Sequence, residues 1–134
     1  MFAIGCLGLL AGLGLLVWVL IRLDDGVRVS VENETDGTLP LANVKVSVRG
    51  GDFAQIGDVP HGERRAVRLH PKGESDVTLA FVLDGQPHTL AGGHVEASGS
   101  DRVELVVREH GTVLLRDCMV PWFTCDAPFH PLSE

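Results

Sequence analysis

The sequence predicts a mainly β protein in which one N-terminal transmembrane α-helix precedes a single β-sandwich domain. Three observations lead to this prediction. The first 21 residues carry no charged side chain. The remainder contains about eight short segments in which apolar and polar residues alternate, and turn residues separate them at intervals of roughly 8 to 12 residues. No segment after the first shows the 3.6-residue apolar period of an amphipathic helix.

The helix predicted at the N-terminus is long enough to cross a bilayer. At about 1.5 Å rise per residue, residues 1–21 span roughly 30 Å, which matches the hydrocarbon core. Arg22 follows directly and can extend its side chain to the headgroups. The start of the chain has no basic region and no small-residue cleavage site, so the segment does not resemble a cleaved signal peptide. We expect residues 1–22 to be retained as a membrane anchor.

Three glycines in the predicted helix lie on one of its faces. Gly5, Gly8 and Gly12 are spaced i, i+3 and i+7, and the last two complete a GxxxG sequence. Small residues aligned in this way allow the backbone of a second helix to approach closely. The pattern predicts a helical partner, either another membrane subunit or a second copy of the chain. The alternative is a stripe that contacts only lipid.

The two indicators of membrane orientation disagree. Arg22 and Arg28 follow the helix and no basic residue precedes it, which by the positive-inside rule places the domain in the cytoplasm. A helix that begins the chain ahead of a large domain more often exports that domain, and Cys118 with Cys125 favours an oxidising compartment. We predict a single-pass protein of the inner membrane with a periplasmic or other extracytoplasmic domain. A cytoplasmic domain is the alternative.

Composition restricts the partners of the rest of the chain. The net charge is −7, and every charged residue follows the apolar segment. Phosphate backbones require a basic protein surface, so nucleic acid is excluded as a partner. About 110 residues are enough for one hydrophobic core. We divide them into a sandwich domain at 23–117 and an irregular tail at 118–134, and we expect no cofactor.

Alternating segments define the expected strands. They lie at 27–32, 43–48, 53–56, 65–69, 77–83, 88–90, 94–97, 102–108 and 112–115. The segment at 77–83 is apolar on both faces, which predicts a central strand covered from both sides. Asp84-Gly85 predicts a hairpin turn after it. The number of strands and their spacing favour an antiparallel sandwich with an immunoglobulin-like or fibronectin-like Greek key, and a small β-barrel is the alternative.

The tail concentrates cysteine, proline and aromatic residues. Cys118 and Cys125 enclose six residues, and a bend between them could bring the two sulfurs together in a disulfide. The three aromatic side chains are predicted to contact the sandwich, the membrane interface or a partner protein. They are Trp122, Phe123 and Phe129.

A metal site in the tail is the alternative to a disulfide. Cys118, Met119, Cys125 and His130 are soft or borderline ligands of the kind that copper accepts. Their spacing does not match the paired motifs of structural zinc sites. This second hypothesis makes the protein a membrane-tethered copper-handling protein.

One basic cluster stands out in the acidic chain. On a strand, Arg64 and Arg68 lie on one face and Arg65 on the other, so we expect Arg64 and Arg68 to be solvated. Contact of Arg64, Arg65 and Arg68 with lipid headgroups or an acidic partner is the alternative. The six histidines show no paired spacing. Asn33-Glu-Thr35 fits the glycosylation sequon formally, but we give it no weight in a chain of bacterial character.

No sequence motif indicates catalysis. The chain contains no nucleophile elbow, zinc-protease motif or phosphate-binding loop. We therefore expect a non-enzymatic accessory or scaffolding subunit that joins a larger membrane complex through the glycine stripe, the sandwich and the tail. Besides the copper-handling alternative, a third hypothesis is a free-standing extracytoplasmic module that binds a ligand or protein through its loops.

Overall fold

The structure is a computed structural model that describes residues 2–23, 26–49, 51–95, 102–118 and 127–132, with side chains in the helix described for 8–20. The elements in chain order are α1 (Phe2–Leu23), β1 (Val27–Asn33), β2 (Leu41–Val48), β3 (Phe53–Val59), β4 (Arg64–Leu69), β5 (Ser75–Leu83), β6 (Gln86–Val95), β7 (Arg102–Val107), β8 (Val113–Cys118) and β9 (His130–Pro131). A short 3-10 turn, Glu109–Gly111, joins β7 to β8.

The strands form two sheets around one core. The five-stranded sheet has the order β4-β1-β7-β8-β9, and the four-stranded sheet has the order β3-β2-β5-β6. Buried side chains from both sheets belong to the same apolar cluster: Val31 and Leu105 come from the first sheet, and Leu79 and Phe81 from the second. Because both sheets contribute their inner faces to one core, the architecture is consistent with the predicted β-sandwich.

One strand pair departs from the prediction of a wholly antiparallel sandwich. β1 and β7 are parallel, and every other pair is antiparallel within the described strands. A parallel pair needs a crossover between its strands. Here the crossover consists of the five strands β2 to β6. Of these, β4 lies in the same sheet as β1 and β7, and the other four form the second sheet. Hairpin signals report only neighbouring strands, so they do not reveal this pairing.

The period-two patterns identify the core correctly, with one correction. Val27, Val29 and Val31 of β1 are fully buried, and Arg28 between them is exposed. β5 lies inside its sheet as predicted, but its outer face is only half-buried. The expectation of cover on both sides is wrong, because a two-layer sandwich has no third layer outside β5.

A second correction concerns the segments at 88–90 and 94–97. Residues 88–90 and 94–95 belong to one strand, β6, which continues through Gly92 and Gly93 to Val95, and residues 96 and 97 lie outside the described residues. Gly93 has φ +74°, and the pairing with β5 shifts register between Ser75 and Val77. The glycine pair therefore forms an irregularity within the strand, where a β-bulge is typical, and not a turn. Asp84-Gly85 does form the predicted hairpin turn, with φ of 50° and 73°.

Asn33, at the end of β1, is a buried polar residue with several hydrogen bonds. Its side-chain nitrogen donates to the carbonyl oxygens of Val59, at 3.0 Å, and Leu39, at 3.3 Å. Its side-chain oxygen accepts from the backbone N–H of Thr35, at 3.1 Å, and from the Thr35 hydroxyl, at 2.7 Å. The residues of the apparent sequon thus tie β1 to the loop before β2 and to the end of β3.

α1 precedes the sandwich, and all its described side chains, 8–20, are exposed. Within the described residues, no helix is both long enough and apolar enough to cross a membrane. The predicted membrane span is therefore not confirmed.

Candidate functional site

The outer face of the five-stranded sheet carries a cluster of charged side chains, which we call the arginine face. Strand register places them in neighbouring rows. The face consists of Arg28, Arg64, Arg68, Arg102 and Arg116 with two carboxylates, Glu32 and Glu104. It is basic although the chain as a whole is acidic, because strand pairing brings together arginines from four separate strands.

Glu104 lies at the centre of this face and is only 6% exposed. The Arg116 guanidinium donates to its carboxylate, with 2.8 Å between Nε and Oε2. Arg102 Nε lies 3.8 Å from Glu104 Oε1, and Arg64 Nη1 lies 4.0 Å from the same oxygen. One buried carboxylate thus neutralises part of the charge of three arginines, and the short contacts to Arg116 hold that pair together.

A second ion pair lies at the edge of the arginine face. Arg64 Nη2 donates to Glu32 Oε2 at 2.7 Å. This hydrogen bond raises the pKa of the Arg64 guanidinium, while desolvation acts in the opposite direction and the charges of Glu32 and Glu104 add to the increase. The side chain of Arg64 is half-exposed, so solvent screens this pair more strongly than the one at Glu104.

The predicted basic cluster is divided between the two faces of β4, as the alternation of its side chains predicted. Arg64 and Arg68 lie on the arginine face, whereas Arg65 pairs with Val31 in the alternate register and forms an ion pair with Glu63 at 2.5 Å. Sequence reasoning did not identify Arg28, Arg102 and Arg116 as members. Their alternation with apolar residues was visible, but the register between distant strands was not.

The tail returns to the sandwich at its end. β9 pairs with β8, and the Phe129 ring lies 4.4 Å from the Arg116 guanidinium in a cation–π contact. Leu132 packs against the core and donates its backbone N–H to Val113 at 2.8 Å. It lies directly over Gly92, where a β-carbon would clash with it. Trp122 and Phe123 lie outside the described residues.

Replacing Gly92 with valine is expected to displace Leu132 and to lower the free energy of unfolding by about 1 to 3 kcal/mol, because the new side chain occupies the position of Leu132. Amide hydrogen exchange at Leu132 measures the loss of its bond to Val113. The control is Ala91→Val, since Ala91 is exposed on the opposite face of β6. If the Leu132 amide is equally protected from exchange in the two variants, the position of Leu132 on the sandwich does not depend on Gly92.

The structure describes two of the four residues proposed for the disulfide and the metal site, Cys118 and His130. Cys118 is disulfide-bonded, while Cys125 and Met119 lie outside the described residues. His130 lies exposed in β9. A cysteine in a disulfide offers no thiolate to copper or zinc, so this form does not fit the metal hypothesis. Among the side chains that the structure describes, no group of three or more metal-ligating residues is present.

The glycine stripe is open at two of its three positions. A β-carbon added to Gly8 or Gly12 would meet nothing within 4 Å. Gly5 lies outside the residues whose side chains are described. The stripe therefore remains a prediction.

A cavity of about 400 Å³ lies at the end of the sandwich opposite the start of β1. Its lining includes Asp36, Asp84, Glu109, His88 and His110. A hydrogen bond with Asp36 and then the charge of Asp36 raise the pKa of Glu109, and His110 opposes the increase. The cavity thus brings together two carboxyl groups, Asp36 and Glu109, a feature that the sequence did not predict.

Comparisons with protein-family models, curated proteins and solved structures found no match to this chain.

Proposed function

We propose that this protein is a non-catalytic, membrane-anchored accessory subunit. α1 lies in the bilayer and packs on another membrane helix, and the sandwich and tail contact and stabilise the other subunits of a larger complex. The observation that carries the proposal is the exposure of apolar side chains along α1. Leu9 and Leu10 are 75% and 70% exposed, and Trp18 is 56% exposed. A helix that is apolar on all sides needs lipid or protein to cover it.

The sequence of the whole helix, including the positions whose side chains the structure does not describe, supports lipid as part of that cover. The helix has 22 residues from Phe2 to Leu23, and at 1.5 Å per residue this corresponds to about 33 Å, close to the hydrocarbon thickness of a bilayer. Its sequence contains one charged residue, Arg22, at the end where the polar headgroups would lie.

The glycines support a helical partner within the membrane. Lipid tails are as apolar as leucine, so helices associate in a bilayer through close packing and not through the hydrophobic effect. Gly8 and Gly12 have open space where a side chain would stand. A second helix can therefore bring its backbone close to α1 along this line.

We place the protein in the inner membrane as a single-pass subunit with an extracytoplasmic sandwich. The disulfide at Cys118 supports this side of the membrane, because disulfides persist in oxidising compartments. The sandwich and tail then offer their surfaces to neighbouring subunits outside the cytoplasm.

Changing Gly8 and Gly12 together to isoleucine is expected to abolish association with the partner subunit while leaving the protein in the membrane. The branched side chains fill the space that the second helix needs. The measurement is co-purification of membrane proteins with the tagged full chain in mild detergent, quantified by mass spectrometry. We expect the stoichiometric partners of the native chain to fall by at least tenfold.

Gly14→Ile is the matched control, because Gly14 lies roughly 200° around the helix from Gly12 at 100° per residue. It also has open space around it. Unchanged co-purification in the double variant would overturn the helix contact. Release of the native chain by an alkaline carbonate wash would overturn the membrane anchor.

A further inference from the structure

The outer face of the four-stranded sheet carries a row of side chains that crosses all four strands. Ser47 pairs with Phe53 on one side and with Thr78 on the other, and Thr78 pairs with Ala91. Phe53 is 65% exposed, and Ala91 is exposed at the other end of the row. A large apolar ring is therefore exposed to solvent at one edge of this face, and a small side chain lies at the opposite edge.

Lys45 is the one charged residue of the next row, all four members of which the structure describes. It pairs with Gln55 and Ala80, and Ala80 pairs with Thr89. The Lys45 ammonium lies 4.4 Å from the centre of the Phe53 ring in a cation–π contact, which becomes stronger when water is excluded. The cores of protein interfaces are depleted of charged residues and enriched in aromatic ones. The two rows together have this composition.

Opposite charges lie at one end of the same face. Val48 of β2 pairs with Val77 of β5, so Arg49, which follows Val48, lies beside Asp76, which precedes Val77. Both charged residues are exposed. The line between β2 and β5 therefore separates a positive from a negative charge, and it also separates the large apolar ring from the small side chain.

A two-fold axis along this line makes the face complementary to itself. In a two-fold interface, residue i contacts residue j of the other copy, and residue j contacts residue i. Here the axis places Phe53 against the partner's Ala91, and Arg49 against the partner's Asp76. A large side chain then meets a small one, and each positive charge meets a negative one. The strands of the two copies stay aligned, as sheets that pack face to face prefer within about 30°.

The charged end of this face is also the end at which the chain leaves α1. The Asp52 carboxylate, in the turn that includes Arg49, accepts from the backbone N–H of His70 at 3.2 Å. A β-carbon on Gly26, at the entry to β1, would lie 3.1 Å from His70 Nε2. An axis along the strands keeps this end on the same side in both copies, so both helices can enter one membrane.

We infer that the outer face of the four-stranded sheet binds the same face of a second copy of this chain. At about 4.8 Å per strand and about 3.4 Å per residue, the four strands present roughly 400 Å² per copy. This is about half of the roughly 800 Å² that each partner buries in a standard interface. The inference rests on the proposed function, because α1 confines both copies to one membrane and raises their effective concentration.

The test measures the oligomeric state of the full chain by sedimentation equilibrium in a detergent of matched density, at several ratios of protein to detergent. We expect the native chain to be a dimer. Asp76→Arg places two positive charges together at both symmetric contacts, and is expected to raise the dissociation constant at least about tenfold. Arg49→Asp combined with Asp76→Arg restores opposite charges across the axis. We expect this double variant to return to within about threefold of the native dissociation constant.

The matched control is Glu109→Arg, which makes the same change of charge at an exposed position in the turn between β7 and β8. Rescue by the double exchange supports the inference, and failure of that rescue would overturn it. A dimer that Asp76→Arg leaves intact would assign the association to α1 and overturn the contact between sheets. Equal weakening by Glu109→Arg would attribute the effect to net charge and overturn it as well. A monomeric native chain that still co-purifies with other membrane subunits would overturn the inference and leave the proposed function standing.

Discussion

Replacing Asn33 with alanine is expected to lower the free energy of unfolding by about 3 to 5 kcal/mol, a large part of the stability of a small domain. The substitution removes two donated and two accepted hydrogen bonds at a fully buried position. The carbonyl of Val59 and the polar groups of Thr35 then lose partners that water cannot fully replace. Urea unfolding of the full chain in mild detergent, followed by circular dichroism, measures the change.

Gln55→Ala is the control for this prediction. Gln55 is also an amide, but it is exposed on β3, so we expect a change of less than about 0.5 kcal/mol. If the two variants unfold at the same urea concentration, the hydrogen bonds of Asn33 do not stabilise the sandwich. The same burial explains why the apparent sequon is unsuitable for glycosylation of the folded domain: the Asn33 nitrogen is already bonded to two carbonyl oxygens.

Changing Glu104 to leucine is expected to lower the free energy of unfolding by about 2 to 4 kcal/mol, because it removes a buried carboxylate that partly buried arginines contact. Arg116 loses its hydrogen-bonded carboxylate, and its side chain is only 24% exposed. Arg102 loses the carboxylate oxygen that lies 3.8 Å from its Nε. Thermal unfolding of the full chain at constant pH and ionic strength measures the effect.

Glu32→Leu tests whether the burial of Glu104 is the reason for the large loss of stability expected in Glu104→Leu. Glu32 also binds an arginine of the same face, but Arg64 is 52% exposed and can be hydrated when the pair is broken. Exposed pairs contribute about 0 to 1 kcal/mol, so Glu32→Leu is expected to change the stability much less than Glu104→Leu. Similar losses in both variants would contradict a specific role for the buried position.

Local patterns in the chain predicted the strands well where one face of a strand meets the core. The alternation in β1 identified Val27, Val29 and Val31 as buried, and Asp84-Gly85 identified the hairpin after β5. These features depend on neighbouring residues alone. A strand has a side-chain period of two, and a tight turn requires residues that accept a positive φ.

The arginine face was predicted only in fragments. The alternation of side chains along one strand already separated Arg65 from Arg64 and Arg68, but only the register between strands adds three arginines from elsewhere in the chain. The local sequence around Asn33 showed only a formal glycosylation sequon, to which we gave no weight, and did not reveal the buried amide. Its role depends on the carbonyl groups of Leu39 and Val59, which the chain brings to it only after folding.

The sequence by itself determined where most of the strands lie, which faces of the amphipathic ones are apolar, and that a helical segment whose first 21 residues are uncharged precedes them. Only the tertiary structure decided that β1 lies parallel to β7, that Leu132 fills the space above Gly92, and that arginines from four strands form one basic face. The physical reason is that propensity and periodicity arise from near neighbours along the chain. Register and sheet packing minimise the free energy of contacts between distant residues, which no local pattern specifies.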